Sequence, residues 1–389
     1  MPQIKPDIET FARIKVIGVG GSGCNAIARM MSCGIKGVDF IAINTDVQAL
    51  HNSKASHKVH IGKILTRGMG AGMNPEIGRK AAEENREEIQ EALRGADMIF
   101  IAGGLGGGTC SGAAPIVAEL AKEIGVLTVA IITKPFSFEG SQRARIAEDA
   151  LAELKQKVDT IIVIPNDRLL NVIDKKVSLL NAFGIVDDVL RQAVQGISDL
   201  IIYPGIINLD FADVKAIMEN AGPAIMGIGR ATGEDRAIEA ARAAISSPLL
   251  EFSIEGAKGI LFNVTGGSDL GMIEVSEAAK VITESADKDA KVIFGAVLDE
   301  KMKRGEIKIT VIATGFGNNS NNYRSNQLTI EPEIIAPPVL EVERKKGKKE
   351  KEGKKEKEEN NITIYKSPLS DSENEEEWDI PTFIRKKGK

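Results

Sequence analysis

Aromatic side chains make up only 4% of the 389 residues, and there is a single tryptophan. Stacking platforms for single-stranded nucleic acid are built from such rings, so no nucleic-acid partner is expected. The formal net charge of −5 supplies no basic field to offset that. Cysteine is scarce as well. Cys24, Cys33 and Cys110 are odd in number and show no Cys-x-x-Cys spacing. This excludes a disulfide framework and a structural zinc site, and it reads as a reduced, cytoplasmic protein. The histidines are His51, His57 and His60, with no cysteine or carboxylate at ligand spacing, so a solvated loop is expected there rather than a metal site. No apolar run reaches the roughly 18 residues of a bilayer span. The start, Met1-Pro-Gln-Ile-Lys-Pro-Asp7, lacks the layout of a signal peptide, and direct membrane insertion is not expected.

Hydrophobic residues reach 43%, enough for two domains with cores. From Ile14 to about Val177, short apolar runs alternate with helical patterns. Strands are predicted at Ile14–Val19, Phe40–Asn44, Met98–Ala102, Thr128–Thr133 and Thr160–Pro165, and helices at Ala26–Ser32, Pro75–Leu93, Ala113–Ile124 and Ser141–Val158. Continuous apolar strands separated by helices predict a parallel sheet covered on both faces. Val177 to Ile202 reads as one long helix, apolar beyond a single stripe and therefore buried between two domains. A second, smaller α/β region runs to Phe316, with strands expected around Ile225–Ile228, Gly259–Val264, Val292–Val297 and Ile307–Thr314. Beyond Gly317 the chain turns polar, then Lys- and Glu-rich with interrupting glycines, a composition that predicts solvated disorder. Trp378 to Lys387 places a few apolar residues ahead of basic ones, as a docking peptide does.

Two glycine-rich loops carry the chemistry. Between Gly103 and Gly112 there are six glycines in ten residues, lying between a strand and a helix. Such a turn lets backbone N–H groups approach an anion at a helix N-terminus, and Thr109 and Ser111 add hydroxyl donors. Tight packing is the structural alternative for this run. The first loop, Gly18-Val-Gly-Gly-Ser-Gly-Cys-Asn25, has a loose Gly-x-Gly-x-x-Gly spacing. With Asp46 as a ribose-reading carboxylate it suggests a dehydrogenase, but that leaves the second loop unexplained. One nucleotide triphosphate explains both. Neither loop has a Walker lysine, so amides, hydroxyls and a magnesium ion carried with the nucleotide have to neutralise the phosphates.

These loops occur together with Asn44-Thr-Asp46, Thr66-Arg-Gly-Met-Gly-Ala-Gly72, Pro135-Phe-Ser-Phe-Glu-Gly140, Pro165-Asn-Asp-Arg168, the Arg191–Leu200 stretch and Asn208-Leu-Asp-Phe-Ala-Asp213. In that combination the chain resembles the FtsZ family, the tubulin-like GTPases of bacterial cell division. The resemblance runs from about Ile14 to Phe316 and returns at the C-terminal peptide. It implies a tubulin/FtsZ-like α/β fold. A parallel-sheet, Rossmann-like GTPase domain (14–177) follows a short extension (1–13). A long central helix (178–204) joins it to a smaller GTPase-activating domain (205–317), followed by a linker (318–376) and a tail peptide (377–389).

The resemblance also implies roles for single residues. Gly21, Ser22, Gly23, Cys24 and Asn25 contact GTP or GDP, with Asn25 near the base. Gly108, Thr109 and Cys110 cover the phosphates. Glu139 and Arg143 match sugar and phosphate contacts, with a surface ion pair as the structural alternative. Asn166 matches a further contact. Phe183 stacks on guanine and Asp187 hydrogen-bonds it, a role the chemistry permits, because a carboxylate accepts from guanine N1–H and N2–H₂ while adenine offers no such pair. Asn208, Asp210 and Asp213 resemble the catalytic loop, which enters the next subunit's pocket and positions the attacking water. Read alone, Asp210 to Asp213 is close to a capping box.

Head-to-tail repetition that does not close gives a filament. The implied function is a filament forming the cytokinetic ring at midcell, turned over by hydrolysis between subunits. Asp379–Arg385 would hold membrane-tethering and regulatory division proteins. One departure stands out: Cys110 replaces the family's glycine. It is expected to carry a lowered thiol pKa at a helix N-terminus, to make nucleotide binding sensitive to alkylation, and to crowd the phosphates. That keeps open a filament protein with slow or no hydrolysis.

Overall fold

The runs of Val, Ile and Phe in the first half of the chain become parallel strands. The computed structural model of the protein describes residues 12–170, 178–202, 210–247, 253–299 and 302–316. The first half runs β1 (Ile14–Val19), α1 (Gly20–Ser32), β2 (Val38–Asn44), α2 (Val47–Asn52), β3 (His57–His60), α3 (Lys63–Thr66), α4 (Pro75–Glu84), α5 (Arg86–Leu93), β4 (Met98–Gly104), α6 (Gly108–Glu123), β5 (Leu127–Lys134), α7 (Ser141–Lys157), β6 (Thr160–Pro165) and α8 (Asn166–Leu170). The long helix α9 (Leu179–Ile202) leads to α10 (Phe211–Met218), β7 (Gly222–Thr232), α11 (Arg236–Ile245), β8 (Gly259–Gly266), α12 (Met272–Glu284), β9 (Lys291–Leu298) and β10 (Glu306–Thr314). The predicted linker and tail peptide lie outside the described residues.

The ten strands among the described residues join one sheet, in the order β3-β2-β1-β4-β5-β6-β7-β10-β8-β9. Strands β3 to β6 are mutually parallel, β7 continues parallel to β6, and β10 lies antiparallel between β7 and β8. The two halves meet through three β6–β7 residue pairs, Thr160↔Gly222 to Ile162↔Ala224. Helix α9 backs that junction. Its Val186, Leu190, Val194 and Ile197 share one core with Val16 and Phe100 of the first half and with Leu261 and Ile312 of the second. The breadth of its apolar surface reflects these two neighbours.

Several local expectations are corrected. Helix α1 begins at Gly20, six residues before the predicted start, because the glycine run is already helical. The predicted helix Pro75–Leu93 is two helices. Asn85 leaves helical geometry while its amide oxygen accepts from Gly62 N–H at 2.9 Å and its amide nitrogen donates to Glu88 at 3.1 Å. A side chain bonded outward in this way competes with the helix ladder. His57 and His60 sit on the strand β3, paired with β2, not in a solvated loop. Only Val59 of its four residues is buried, too short a pattern to reveal a strand.

Charge stitches the helices on one face. Arg79 of α4 pairs with Glu153 of α7, Lys157 bridges Glu153 and Glu119, and Arg86 of α5 reaches Glu119 and Glu123 of α6. Hydrogen bonds from Lys157 and Arg79 hold Glu119 and Glu153 below the usual carboxylate range. In the second half, Arg236, 5% exposed, bonds Asp269 at 2.7 Å and Glu274 at 2.6 Å. A buried guanidinium needs such a pair of partners.

Candidate nucleotide site

The carboxyl ends of β1 and β4 feed straight into α1 and α6. Neither helix has a side-chain N-cap, since α1 follows Val19 and α6 follows Gly107. Their first-turn N–H groups lack intrahelical acceptors, and their dipoles favour negative charge. Hydrogen bonds join the first loop to the second, brace the second internally and tie α6 to the end of β2. Gly104 N–H donates to Ser22 Oγ at 2.8 Å, Gly106 N–H donates to Ser111 Oγ at 3.0 Å, and the hydroxyls of Thr45 and Thr109 share a hydrogen bond at 2.9 Å.

The glycines divide by purpose. A Cβ at Gly21 or Gly107 would meet no protein atom within 4 Å. A Cβ on Gly108 would lie 2.7 Å from Asn74 N, and one on Gly112 would lie 2.0 Å from the Pro75 carbonyl oxygen. Helices α4 and α6 touch there. Close packing, the structural alternative, therefore accounts for Gly108 and Gly112, while Gly21 and Gly107 face open space.

Cys110 does not behave as its position in the sequence suggested. It is 3% exposed, and its Sγ lies over β4, where a Cβ on Gly103 would approach it to 2.4 Å. Burial pushes its thiol up to about 12, against the lowering expected at a helix start. Desolvation in the core outweighs the helix dipole. Cys24 is also buried and is raised to about 11. The thiol is turned into the core, so the expected sensitivity to alkylation is withdrawn. Brief treatment of the folded protein with a maleimide should modify Cys33, the exposed cysteine, and leave Cys24 and Cys110 intact. Peptide mass spectrometry checks this, and GDP affinity should be unchanged by it.

The turn after β5 supplies the next group. Glu139 accepts from Phe136 N–H at 2.9 Å and pairs with Arg143, so the predicted surface ion pair is present. Ser137 N–H donates to Asp167 at 2.9 Å, which docks the turn on α8. Asn166 opens α8 and is buried, and its Oδ1 has no hydrogen-bond partner. A buried unsatisfied acceptor is costly, and a ligand's donor would satisfy it. Phe183, 42% exposed, stands on the first turns of α9. Asp187, one turn on, is half-buried, and desolvation raises its carboxyl to about 6 against the opposing charge of Arg29 on α1. Asn25 is exposed on that same helix.

Asp210 and Asp213 open α10. Asp210 accepts from Ala212 N–H at 3.4 Å, and Asp213 accepts from Asp210 N–H at 3.4 Å. The capping box is formed, and these carboxylates hydrogen-bond within it rather than to the glycine loops. Asn208 lies outside the described residues. Asp46 N-caps α2 through Gln48 and Ala49 N–H, a structural role for the carboxylate. Sequence reasoning missed Thr45 and Asp167 as members of the site. The motifs Asn44-Thr-Asp46 and Pro165-Asn-Asp-Arg168 contained both, but their bonds cross from one loop to another.

The uncapped α1 and α6, the continuous sheet and the bridging α9 define a tubulin-like GTPase. Residues 13–174 match the model described as Tubulin/FtsZ family, GTPase domain, and residues 222–317 match that of the FtsZ family, C-terminal domain. A structure titled an empty FtsZ dimer from M. jannaschii shares 47% identity, covering 79% of this chain and 89% of its own, with a TM-score of 0.75. The chain belongs to the FtsZ family. Two structures from Haloferax volcanii share the fold at 22% identity: CetZ1, titled a GDP-bound monomer (TM-score 0.68, covering 79% of this chain and 95% of its own), and CetZ2, titled a GTPγS-bound protofilament (TM-score 0.67, 80% and 96%).

Proposed function

We propose that this GTPase assembles head-to-tail through its nucleotide and hydrolyses GTP only where two subunits meet. Backbone N–H groups of α1 and α6, with Ser22 and Thr109, hold the phosphates. Phe183 and Asp187 hold the guanine, while Asn166, Glu139 and Arg143 line the rest of the pocket. Magnesium carried with the nucleotide would neutralise phosphate charge that no lysine covers. Asn208, Asp210 and Asp213 of the next subunit hold a water in line with the γ-phosphate. That water's oxygen forms the new P–O bond, the bond to the β-phosphate bridging oxygen breaks, and GDP and inorganic phosphate leave.

The observation that carries this reading is the separation of charges. Among the described residues, the starts of α1 and α6 present glycines and hydroxyls, whereas Asp210 and Asp213 open a separate helix, α10. The M. jannaschii dimer and the CetZ2 protofilament support self-association. The Cys110 sulfur is buried against β4, which argues against its crowding the phosphates. The filament would serve the cytoplasmic division site, and Asp379–Arg385 would bind tethering and regulatory proteins there.

Phosphate release measured against protein concentration tests the proposal. Specific activity should be near zero when dilute and rise past a threshold. Constant activity per molecule down to the monomer would overturn it.

A further inference from the structure

Three phenylalanine rings meet beside α9, and only one of them lies in the core. Phe136 is 2% exposed. Its ring stacks on Phe138 at a centroid distance of 4.9 Å and 14°, and it meets Phe183 edge-to-face at 5.6 Å and 87°. Phe138 is 64% exposed and covers the outer side. The turn that carries Phe136 packs in the core shared with α9 and is also held by polar bonds to other helices. Its N–H donates to Glu139, Glu139 pairs with Arg143 of α7, and Ser137 is bonded to Asp167 of α8.

We propose that Phe136 is a positioning residue for the nucleobase, a fixed wall that holds the half-exposed Phe183 ring in the one orientation that presents its face to guanine. This rests on the reading of Phe183 as the guanine platform. A phenyl ring on an exposed helix face samples several staggered rotamers, and stacking needs one of them. The perpendicular contact uses the positive edge of one ring against the negative face of the other, so it selects an angle as well as a place. The anchors on α7 and α8 hold the wall in addition to its packing against α9.

A residue of the core alone would lower stability without discriminating among ligands. Phe136→Met and Phe136→Leu, which keep volume without the ring, are compared with wild type by calorimetry. GDP affinity should fall about two- to tenfold, the range of one aromatic pair, while affinity for inorganic tripolyphosphate should hold. Turnover should show a raised KM at unchanged kcat. Phe136→Tyr, which keeps the ring, should retain GDP affinity. In a Phe183→Ala background the Met substitution should add no further loss. Unchanged GDP affinity in Phe136→Met, equal loss of GDP and tripolyphosphate, a full loss in the Phe183→Ala background, or an equal loss in Phe136→Tyr would each overturn the role. Should both aliphatic variants fail to fold, Phe138→Ala on the exposed flank takes their place. It is expected to show a smaller loss of GDP alone, and unchanged GDP affinity there overturns the role. Failure of wild type to bind GDP would sink the nucleotide reading instead.

Discussion

Asp213→Ala should keep its guanine nucleotide and lose turnover by about 100-fold or more, the scale of removing one group that holds or polarises the attacking water. The side chain has a second job, because it accepts from Asp210 N–H at the start of α10. Losing that bond should cost about 1 kcal/mol of stability. A modest fall in melting temperature is therefore expected and does not by itself explain lost activity. The decisive measurement is a mixture. Asp213→Ala subunits keep an intact nucleotide pocket, while Asp187→Asn subunits keep an intact Asp213. If hydrolysis is shared, an equimolar mixture regains phosphate release that neither variant shows alone, because one orientation of the pair has both halves. A mixture no more active than the sum of its parts would reject the shared site.

Asp187→Asn should exchange guanine for xanthine. In the proposed role the carboxylate accepts from two donors on the guanine edge, whereas an amide offers one acceptor and one donor. Xanthine keeps N1–H and presents a carbonyl where guanine has its amino group, so it pairs with the amide. A site built around hydrogen bonds rejects the mismatched partner by about two to four orders of magnitude. GDP affinity should fall by that scale, and XDP affinity should rise. Competition binding with both nucleotides gives the answer, and a variant that still prefers GDP would remove Asp187 from base recognition.

The wild-type site carries a pH signature as well. The free carboxyl sits near 6 because it is desolvated, and in the proposed role guanine binding requires its ionised form. Affinity is therefore complete above about pH 7 and falls as pH drops through 6, approaching tenfold per unit below it. The Asp187→Asn variant should lack that inflection.

The parallel half of the fold was legible because each buried strand is a continuous apolar run. Met98–Gly104 is buried along almost its whole length, and its sequence reads that way. The edge strand β3 was not legible, because a four-residue strand with one buried side chain carries no periodicity. The break at Asn85 was hidden because its cause, Gly62, lies 23 residues away. The strand-to-helix placement of the glycine loops was read from motif and order. What motif could not supply was direction. The same rule that exposes a thiol at a helix start failed for Cys110, whose side chain turns back onto β4. Likewise the bond between Thr45 and Thr109 joins loops whose sequences give no hint of each other.

The contact between Cys110 and Gly103 constrains how this loop can evolve. The sulfur fills the space that a methyl group at position 103 would need, at 2.4 Å. Alanine at 103 therefore forces the Cys110 sulfur to move, and even with glycine at 110 its methyl would lie 3.1 Å from the Val19 carbonyl oxygen. Substitutions at the two sites are expected to couple rather than add. The less strained route between the two states runs through the doubly small intermediate.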